Sequence, residues 1–433
     1  DVLDTWASSW LWPFAVHGWP NSDQNLTTFY PTNTLVTGPD IIFFWVARMI
    51  MAGYEFLDEI PFKNVYFTSI LRDETGKKFS KSLGNSPDPF DLFKEYGTDA
   101  TRFGVMLMAP QGLDVLFSKS RLEIGRNFMN KLWNASRFVQ MNLEESKTPE
   151  VDLNNIELDL PERWILSQLN QTAIRVNHQL DRFHFNEAAK AIYEFTWSDF
   201  CDWYIEIAKT RFYGQDTDKA NISRAVAVHT IKGILTMLHP YSPFITEEIW
   251  SYFRHESDLD LIVSPWLNGN KDQADEEADT SMGLLKEIIT AIRTIRSRMN
   301  VPQTKKSDLV IRNVNGHKAK IESFENIIKT LGQIEHITLG QDLEKPSQSA
   351  TAVIQKMELF VPLKGLINLD QEIDRHSKRL NELKEHLAGT EKKLANENFV
   401  RRAPENVVTH EKQKLQDMTA EFDLVKANLD MLK

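Results

Sequence analysis

Three lysines lie within five residues of each other in the glycine-flanked segment ETGKKFSKSLGN, residues 74–85. A lysine ammonium is a compact charge with three hydrogen-bond donors on a flexible stem, and Lys78 and Lys81 are spaced so that both could close on a polyphosphate. Such a pair would neutralise the negative charge that develops as a phosphoanhydride bond breaks. The alternative is an exposed basic turn, which lysine- and serine-rich runs alone favour.

The elements around this lysine loop (residues 74–85) predict a place for it. The segment NVYFTSIL, residues 64–71, has the composition of a strand and leads directly into the loop. Upstream, the β-rich segment TLVT, residues 34–37, is followed by Gly38, and apolar residues at helical spacing begin at Asp40. Gly38 would let the backbone approach a nucleotide, and the Asp40 carboxylate is either an ammonium receptor or a helix N-terminal charge. The order strand, helix, strand predicts part of a Rossmann-type α/β fold over residues 1–117, with ligands at the carboxyl ends of its strands.

The rest of the chain changes its periodicity twice. Residues 118–300 have helical spacing nearly throughout, which predicts a helix bundle. Residues 301–365 alternate strand and helix patterns and predict a small α/β subdomain. In residues 366–433 apolar residues recur alternately three and four apart on both sides of a proline-containing turn, which predicts an antiparallel coiled-coil hairpin.

Composition narrows the function classes. The 433 residues carry a formal net charge of −11, which argues weakly against non-specific nucleic-acid binding, although local basic faces can still bind RNA. The longest apolar run is interrupted by Asp40 and Arg48, so no membrane span is predicted. A single cysteine, Cys201, excludes an internal disulfide and a zinc cluster and fits a cytoplasmic protein. The chain begins at Asp1 with four tryptophans in twenty residues, so we expect a fragment of a larger protein.

The lysine loop also carries a resemblance. KKFSKSLGN is similar to the lysine signature of class I aminoacyl-tRNA synthetases, with Phe79 where that family usually has methionine. Further segments resemble the valyl-tRNA synthetase family in chain order: DVLDTWASSWLWPF, LVTGPDIIFFWVARMIM, NFMNKLWNASRFV, FTWSDFCDWYIEIAK, LHPYSPFITEEIW, NVPQTKK and LANENFVRRAPENVV. Together they cover essentially the whole chain.

The resemblance implies an activity and a set of roles. Members of the family activate valine with ATP, with Mg²⁺ expected, to valyl-adenylate and pyrophosphate, and transfer the valyl group to valine tRNA. By that resemblance Lys78 and Lys81 are catalytic, stabilising the α-phosphate and the leaving pyrophosphate. The residues implied to contact ATP are Gly38, Lys78, Ser80, Lys81 and Ser82, and those implied to contact valine are Trp6, Asp40, Ile41 and Trp45. From spacing alone, an ordinary core position is favoured for Trp6 and Trp45, because aromatic residues at helical spacing usually pack inside a protein.

The resemblance assigns the helix bundle to the anticodon stem and loop and the terminal hairpin to the outer corner of tRNA. Candidate contacts are Arg163, with Trp164 beside it, and the helix IRTIRSRMN, in which Arg293 and Arg296 share a face. A solvated helix face is an equal alternative for these arginines. In the hairpin the candidates are Lys392, Lys393, Arg401 and Arg402. The cluster TWSDFCDWY, residues 196–204, is predicted to be core rather than a base-stacking surface.

Two departures limit the expected activity. No His-Ile-Gly-His string of the class I fold occurs in the sequence, and the editing domain of the family is absent from it. We therefore expect the chain to be the carboxyl-terminal portion of such an enzyme, monomeric, able to bind tRNA but not to catalyse or edit alone. The alternatives are a stand-alone tRNA-binding module with a degenerate nucleotide fold and an isoleucyl or leucyl relative.

Overall fold

The computed structural model describes most of the chain: residues 2–21, 24–80, 82–109, 112, 114–143, 153, 156–255, 257–314, 316–396 and 405–432. Lys81, Arg401 and Arg402 lie outside the described residues. Contacts divide the chain into two compact units, residues 1–275 and residues 276–433, and each is described by itself.

The first unit begins with small parallel sheets. Strand β1 (Thr32–Thr37) pairs in parallel with β2 (Phe62–Phe67), and β3 (Leu71–Arg72) pairs in parallel with β4 (Val115–Leu116). The helices of this region are α1 (Thr5–Ser9), α2 (Trp12–Ala15), α3 (Gln24–Phe29), α4 (Ala47–Leu57), α5 (Pro89–Tyr96) and α6 (Thr98–Met108). A parallel pair needs a crossover between its strands, and α4 with the turns before it supplies the crossover from β1 to β2.

The first unit continues as a helix bundle. Its helices are α7 (Lys119–Met141), α8 (Leu160–Leu180), α9 (Phe185–Glu194), α10 (Ile205–Phe212), α11 (Thr217–Leu238) and α12 (Pro243–Phe253). A π-helical segment, Phe195–Tyr204, joins α9 to α10 and buries Phe200, Cys201 and Tyr204. The TWSDFCDWY cluster therefore contributes to the core, as the sequence predicts.

Polar contacts hold the bundle to the region of the lysine loop. The Asp99 carboxylate on α6 accepts hydrogen bonds from the backbone N–H groups of Phe244 (3.4 Å) and Ile245 (2.6 Å) in the first turn of α12. Arg102, one turn further along α6, donates to the carbonyls of Pro240 and Tyr241 at 3.1 Å each. An acidic side chain at a helix N-terminus satisfies donors that lack an intrahelical partner, so α6 and α12 are fixed to each other.

The second unit contains a four-stranded mixed sheet in the order β6-β5-β8-β7. Its strands are β5 (Ser307–Arg312), β6 (Ile334–Gly340), β7 (Ser349–Ile354) and β8 (Met357–Pro362). Only β5 and β6 pair in parallel, and β7 and β8 form a hairpin whose turn residues Gln355 and Lys356 have positive φ. The sequence pattern predicts β5, β6 and β8 but misses β7.

Helices surround this sheet: α13 (Glu276–Arg298), α14 (Lys318–Ser323) and α15 (Glu325–Gly332). Within the second unit, helix α13 packs against α15 and β7. Its buried residues include Leu285, Ile288, Ile292 and Ile295, and Ile292 lies beside Gly332 at the end of α15.

Two long helices end the second unit, α16 (Leu369–Leu394) and α17 (Glu405–Leu432). They pack side by side and run antiparallel, because Arg379 pairs with Glu421 while Lys393, further along α16, pairs with Glu411, earlier in α17. Their buried residues include Leu383, Val408, Val425 and Leu429, and α17 also packs against β7. Among the described residues, no helix is long and apolar enough to span a membrane.

Candidate active site

The lysine loop is organised by a carboxylate that sequence reasoning did not single out. Asp73 Oδ1 accepts hydrogen bonds from the Thr75 N–H (2.9 Å), the Thr75 hydroxyl (2.7 Å) and the Lys77 N–H (2.9 Å), and its Oδ2 accepts from Asn85 Nδ2 at 2.8 Å. These bonds, that from Asn85 foremost, lower the pKa of Asp73 to about 2. The carboxylate therefore stays ionised and holds both ends of the loop.

Asn85 closes the loop from its other side. Its Oδ1 accepts from the Ser80 N–H at 3.0 Å, and its Nδ2 donates weakly to the Lys78 carbonyl at 3.3 Å. Ser80 and Ser82 share a hydroxyl hydrogen bond of 2.7 Å. The backbone of the loop is thus fixed by short polar side chains rather than by its lysines. The signal was present in the sequence, since an aspartate and an asparagine flank the lysines.

Phe79 anchors the loop on its apolar side. Its ring lies edge-on to Phe117, with 5.9 Å between ring centroids. Both rings line a cavity of about 670 Å³ that also borders α5 and α6. Phenylalanine therefore supplies the apolar anchor that the resemblance assigns to methionine at this position.

The structure brings Lys78 to Asp40, the carboxylate predicted to receive an ammonium. Lys78 Nζ lies 2.7 Å from Asp40 Oδ2, and the two side chains are 55% and 59% exposed. An ion pair this exposed contributes about 0–1 kcal/mol to stability, so it does little to hold the fold together. Both charges therefore remain available to a ligand that offers each a better partner.

Asp40 stands at an irregular helix start. After β1, Pro39–Ile41 forms a 3₁₀ turn and Ile42–Val46 a π-helical turn before α4 begins. π-Helical turns are rare and occur frequently at functional sites. Gly38, just before them, has φ −81° and ψ 149°, and a Cβ atom built on it would meet no atom within 4 Å. Neither conformation nor packing requires glycine there, so the predicted approach of a ligand to Gly38 stays a prediction.

The aromatic residues predicted around valine lie where α1 meets this turn. Trp6 is half-buried and stacks on Phe44 at 5.8 Å between centroids. The Trp45 indole N–H donates to the Ser9 carbonyl at 3.0 Å, and its ring packs on the core formed by Leu35, Val46, Met49 and Phe62. Ile41 is half-buried at the end of the 3₁₀ turn. Trp45 thus serves the core, whereas Trp6 keeps an accessible side.

Three protein families match separate parts of the chain. They are described as "tRNA synthetases class I (I, L, M and V)" over residues 1–118, "Anticodon-binding domain of tRNA ligase" over 162–311, and "Valyl tRNA synthetase tRNA binding arm" over 368–433. A valine–tRNA ligase of Fusobacterium nucleatum is 45% identical over 95% of this chain and 47% of its own length. Valine–tRNA ligases of Syntrophotalea carbinolica and Bacillus subtilis are 42% and 40% identical over the whole chain and 48% and 49% of their own lengths.

The chain belongs to the valyl-tRNA synthetase family. It spans about half the length of the curated relatives it matches. Among solved structures, a LeuRS–tRNA–LeuAMS ternary complex from Agrobacterium radiobacter K84 superposes with a TM-score of 0.51 at 16% identity. That match covers 79% of this chain and 42% of the LeuRS chain, and at this identity it speaks only to the class I fold.

Within the anticodon-binding region, the structure argues against two of the predicted contacts. The Arg163 guanidinium donates to both carboxylate oxygens of Asp275, at 2.8 and 2.9 Å, so its bidentate face is already occupied. Trp164 is 2% exposed and belongs to the core. The next residue upstream, Glu162, is fully buried between Arg211 and the Ser223 hydroxyl, at 2.7 Å from each. The residues at the start of α8 therefore stabilise the fold through these contacts.

The arginines of α13 differ from one another. Arg293 is exposed and donates to the Leu331 carbonyl at 3.2 Å. Arg296 is only 7% exposed, and its guanidinium donates to the carbonyls of Pro302 (3.0 Å) and Lys305 (2.7 Å). These donors are therefore used by the backbone inside the second unit, so we leave Arg296 out of the proposed tRNA contacts.

The arm formed by α16 and α17 separates its lysines in a similar way. Lys392 is exposed, and no ion-pair partner for it occurs among the described residues. Lys393 pairs with Glu411 across the two helices, and that lysine lowers the pKa of Glu411. Lys412 and Lys414, which sequence reasoning missed, are exposed near the same end of α17. Arg401 and Arg402 belong to the residues that are not described.

Proposed function

We propose that this chain carries the lysine-loop and tRNA-binding part of a valine–tRNA ligase, which activates valine with ATP and transfers it to valine tRNA. The observation that carries the proposal is the meeting of Lys78 and Asp40 at 2.7 Å, because it joins the group expected to bind phosphate to the group expected to bind the substrate ammonium. In this arrangement the Lys78 ammonium occupies the position that the ammonium of valine would take on Asp40.

The nucleotide side of the site follows from this exchange. When valine pairs with Asp40, Lys78 is released and can turn to the phosphates of ATP. The loop backbone is held by Asp73 and Asn85, so the lysine stem can move while its base stays in place. Ser80 and Ser82 offer hydroxyl groups beside it, and Gly38 leaves space for the nucleotide. Lys81, outside the described residues, is assigned its phosphate role from the family signature alone.

The amino-acid side of the site is built on the turn after β1. Asp40 would bind the valine ammonium, and the apolar surfaces of Trp6 and Ile41 would border its side chain. Trp45 would support this pocket from the core side, because its indole N–H is bonded to the Ser9 carbonyl. A valine side chain buried against such surfaces gains about 25 cal/mol per Å² of apolar area removed from water.

Mg²⁺ is expected to accompany ATP in this family. Among the residues that the structure describes, no group of three or more His, Cys, Asp or Glu side chains could hold a metal ion. These residues do not fit a metal site held by protein ligands, so we assign none and route no step through the ion.

The tRNA would be held by both units. Residues 162–311 would bind the anticodon stem and loop, with Arg293 as the exposed α13 contact. The arm would bind the outer corner through Lys392, Arg401 and Arg402, while Lys393 is engaged with Glu411 across the two helices. Alone, the chain is proposed to bind tRNA but neither to catalyse nor to edit, because the His-Ile-Gly-His string is missing from the sequence. We also propose that it acts in the cytoplasm as a monomer.

The exchange between Lys78 and valine is tested by substituting neighbouring lysines in a protein of the relatives' full length. Lys78→Met should slow valine-dependent exchange of pyrophosphate into ATP by about 100-fold, the usual cost of one preorganised donor at a developing charge. Lys77→Met is the matched control, because the loop uses the backbone N–H of Lys77, and no contact of its ammonium occurs among the described residues. Equal exchange rates in both variants would contradict the phosphate role of Lys78.

A further inference from the structure

A buried guanidinium organises the turn that follows α13. Arg296 donates to the carbonyls of Pro302 and Lys305 and, at 3.3 Å, to the Ser307 hydroxyl. The Lys305 N–H also bonds to the Pro302 carbonyl at 3.1 Å, so the turn is closed on itself. Because Arg296 is 7% exposed and surrounded by acceptors, residues 302–307 are held in one conformation.

The side chain of Lys305 leaves this turn and reaches another one. Its Nζ donates to the carbonyls of Gly365 at 2.9 Å and Leu366 at 3.0 Å. These two residues lie between the end of β8 and the start of α16, which Asn368 caps through the Gln371 N–H. An ammonium that bridges two consecutive carbonyls ties the base of α16 to the end of α13.

A second tie joins the same elements at a different point. With its amide oxygen facing α16, Asn300 accepts hydrogen bonds from both terminal nitrogens of Arg375, at 2.7 and 2.8 Å. Arg375 lies in the second turn of α16, beyond the capped end that Lys305 holds. Two separate attachments restrict the direction of a helix more than one does, and they add to the packing of α17 against β7.

We infer that Lys305 and Arg375, organised by Arg296 and Asn300, form a clamp that sets the direction in which α16 and α17 leave the sheet unit. These are positioning residues for tRNA binding, and that consequence rests on the proposed function. Helix α16 has 26 residues and is therefore about 39 Å long. Tilting it by about 10° at its base would move its far end by about 7 Å, enough to take Lys392 away from a phosphate.

The neighbouring lysine offers a matched control. Lys306 pairs with Glu335 at 3.4 Å, and both side chains are more than half exposed. Lys306→Met removes the same charge from the same turn without touching the clamp. Lys305→Met removes the bridge to Gly365 and Leu366 and keeps the length of the stem, and Lys305→Arg restores a cation that can donate to both carbonyls.

The direction of the arm is measured in the full chain by the distance between spin labels at Ala319→Cys and Ala388→Cys. Both alanines are exposed, on α14 and α16. The native Cys201 is buried and its pKa is raised to about 12 by burial, so it resists labelling. Lys305→Met should broaden the distance distribution and weaken binding of valine tRNA by roughly tenfold, since a loosely held module has a lower effective concentration.

The two readouts separate the clamp from the function it serves. A broadened distribution with Lys305→Met, unchanged with Lys306→Met and restored by Lys305→Arg, supports the clamp. An unchanged distribution with Lys305→Met, repeated with Arg375→Met, overturns it. A broadened distribution with unaltered tRNA affinity keeps the clamp and contradicts the role of the arm in tRNA binding. Melting temperature is followed in parallel, because a misfolded variant would lose both readouts together.

Discussion

The lysine loop and helix α13 carry similar charges three residues apart, and the structure uses them in opposite ways. In the loop, Asp73 and Asn85 hold the backbone, and the Lys78 ammonium stays exposed beside a carboxylate. In α13, the Arg296 guanidinium itself holds the backbone and is buried among carbonyls. Lys78 can bind a ligand because other groups maintain the fold of its loop. Arg296 cannot do so without giving up the hydrogen bonds that maintain its own turn.

The energies of the two regions differ for the same reason. An exposed ion pair exchanges water for a partner at little net gain, so Lys78 can leave Asp40 easily. A buried guanidinium has given up its water, and its acceptors have given up theirs, so removing it leaves several carbonyls unsatisfied. The comparison predicts that stability and ligand binding respond to different basic residues.

The largest effect is expected from Arg296→Met. The variant should lose about 2–4 kcal/mol of the free energy of unfolding of the second unit, because buried carbonyls are left without donors. Arg298→Met, on the same helix but exposed, should change that free energy by less than about 0.5 kcal/mol. Urea denaturation followed by circular dichroism measures both values.

Similar losses in the two variants would mean that burial does not separate these arginines. An Arg296→Met variant that stays stable but binds tRNA less tightly would return Arg296 to the tRNA contacts. Either result would remove the distinction drawn between the loop and the helix.

Periodicity predicted most elements, because apolar spacing reports which face of a segment is buried. It found β1, β2, the bundle helices and the two long terminal helices. It missed β7, whose sequence SATAVI begins with small and polar residues. It also predicted α13 as a helix with a buried face, but spacing does not show what covers such a face, and in the second unit α15 and β7 pack against it. Which element packs against an apolar helix face depends on the tertiary structure.

The site residues divide along the same line. The sequence singled out Lys78, Asp40 and Gly38 because the lysine loop and the turn after β1 have short, ordered signatures. The structure pairs Lys78 with Asp40, and the roles of all three toward ATP and valine stay predictions. Arg296 and Arg163 could not be sorted, because their partners lie in other segments: Pro302 and Lys305 for the first, Asp275 for the second. A basic residue looks the same in a sequence whether its donors face solvent or a carbonyl.

An effect of intermediate size is expected from substituting the adjacent lysines of the arm. Lys392→Ala should weaken binding of valine tRNA several-fold and reduce the salt dependence of the binding constant by about one counterion, because an exposed ammonium is lost. Lys393→Ala should act mainly through its lost pair with Glu411, an effect of about 0.5 kcal/mol on helix pairing. A salt series of binding curves measures the slope, and a larger change of slope with Lys393→Ala would reverse the assignment.

The smallest effect concerns the carboxylate beneath the lysines. The pKa of Asp73 is lowered to about 2, chiefly by the bond from Asn85, so its share of loop stability is complete above the ordinary value of 3.8 and is lost only as the pH falls through about 2. A titration of the Asp73 carboxyl carbon by NMR should therefore show a midpoint near 2, and Asn85→Ala should move it upward, towards 3.8. In the unsubstituted chain, the conformation of the lysine loop should not change with pH around neutrality, because Asp73 stays ionised there. A midpoint near 3.8 in that chain would mean that Asp73 does not hold the loop. The contrast with Arg296 would then fail, because it requires that a group other than the lysines maintains the loop.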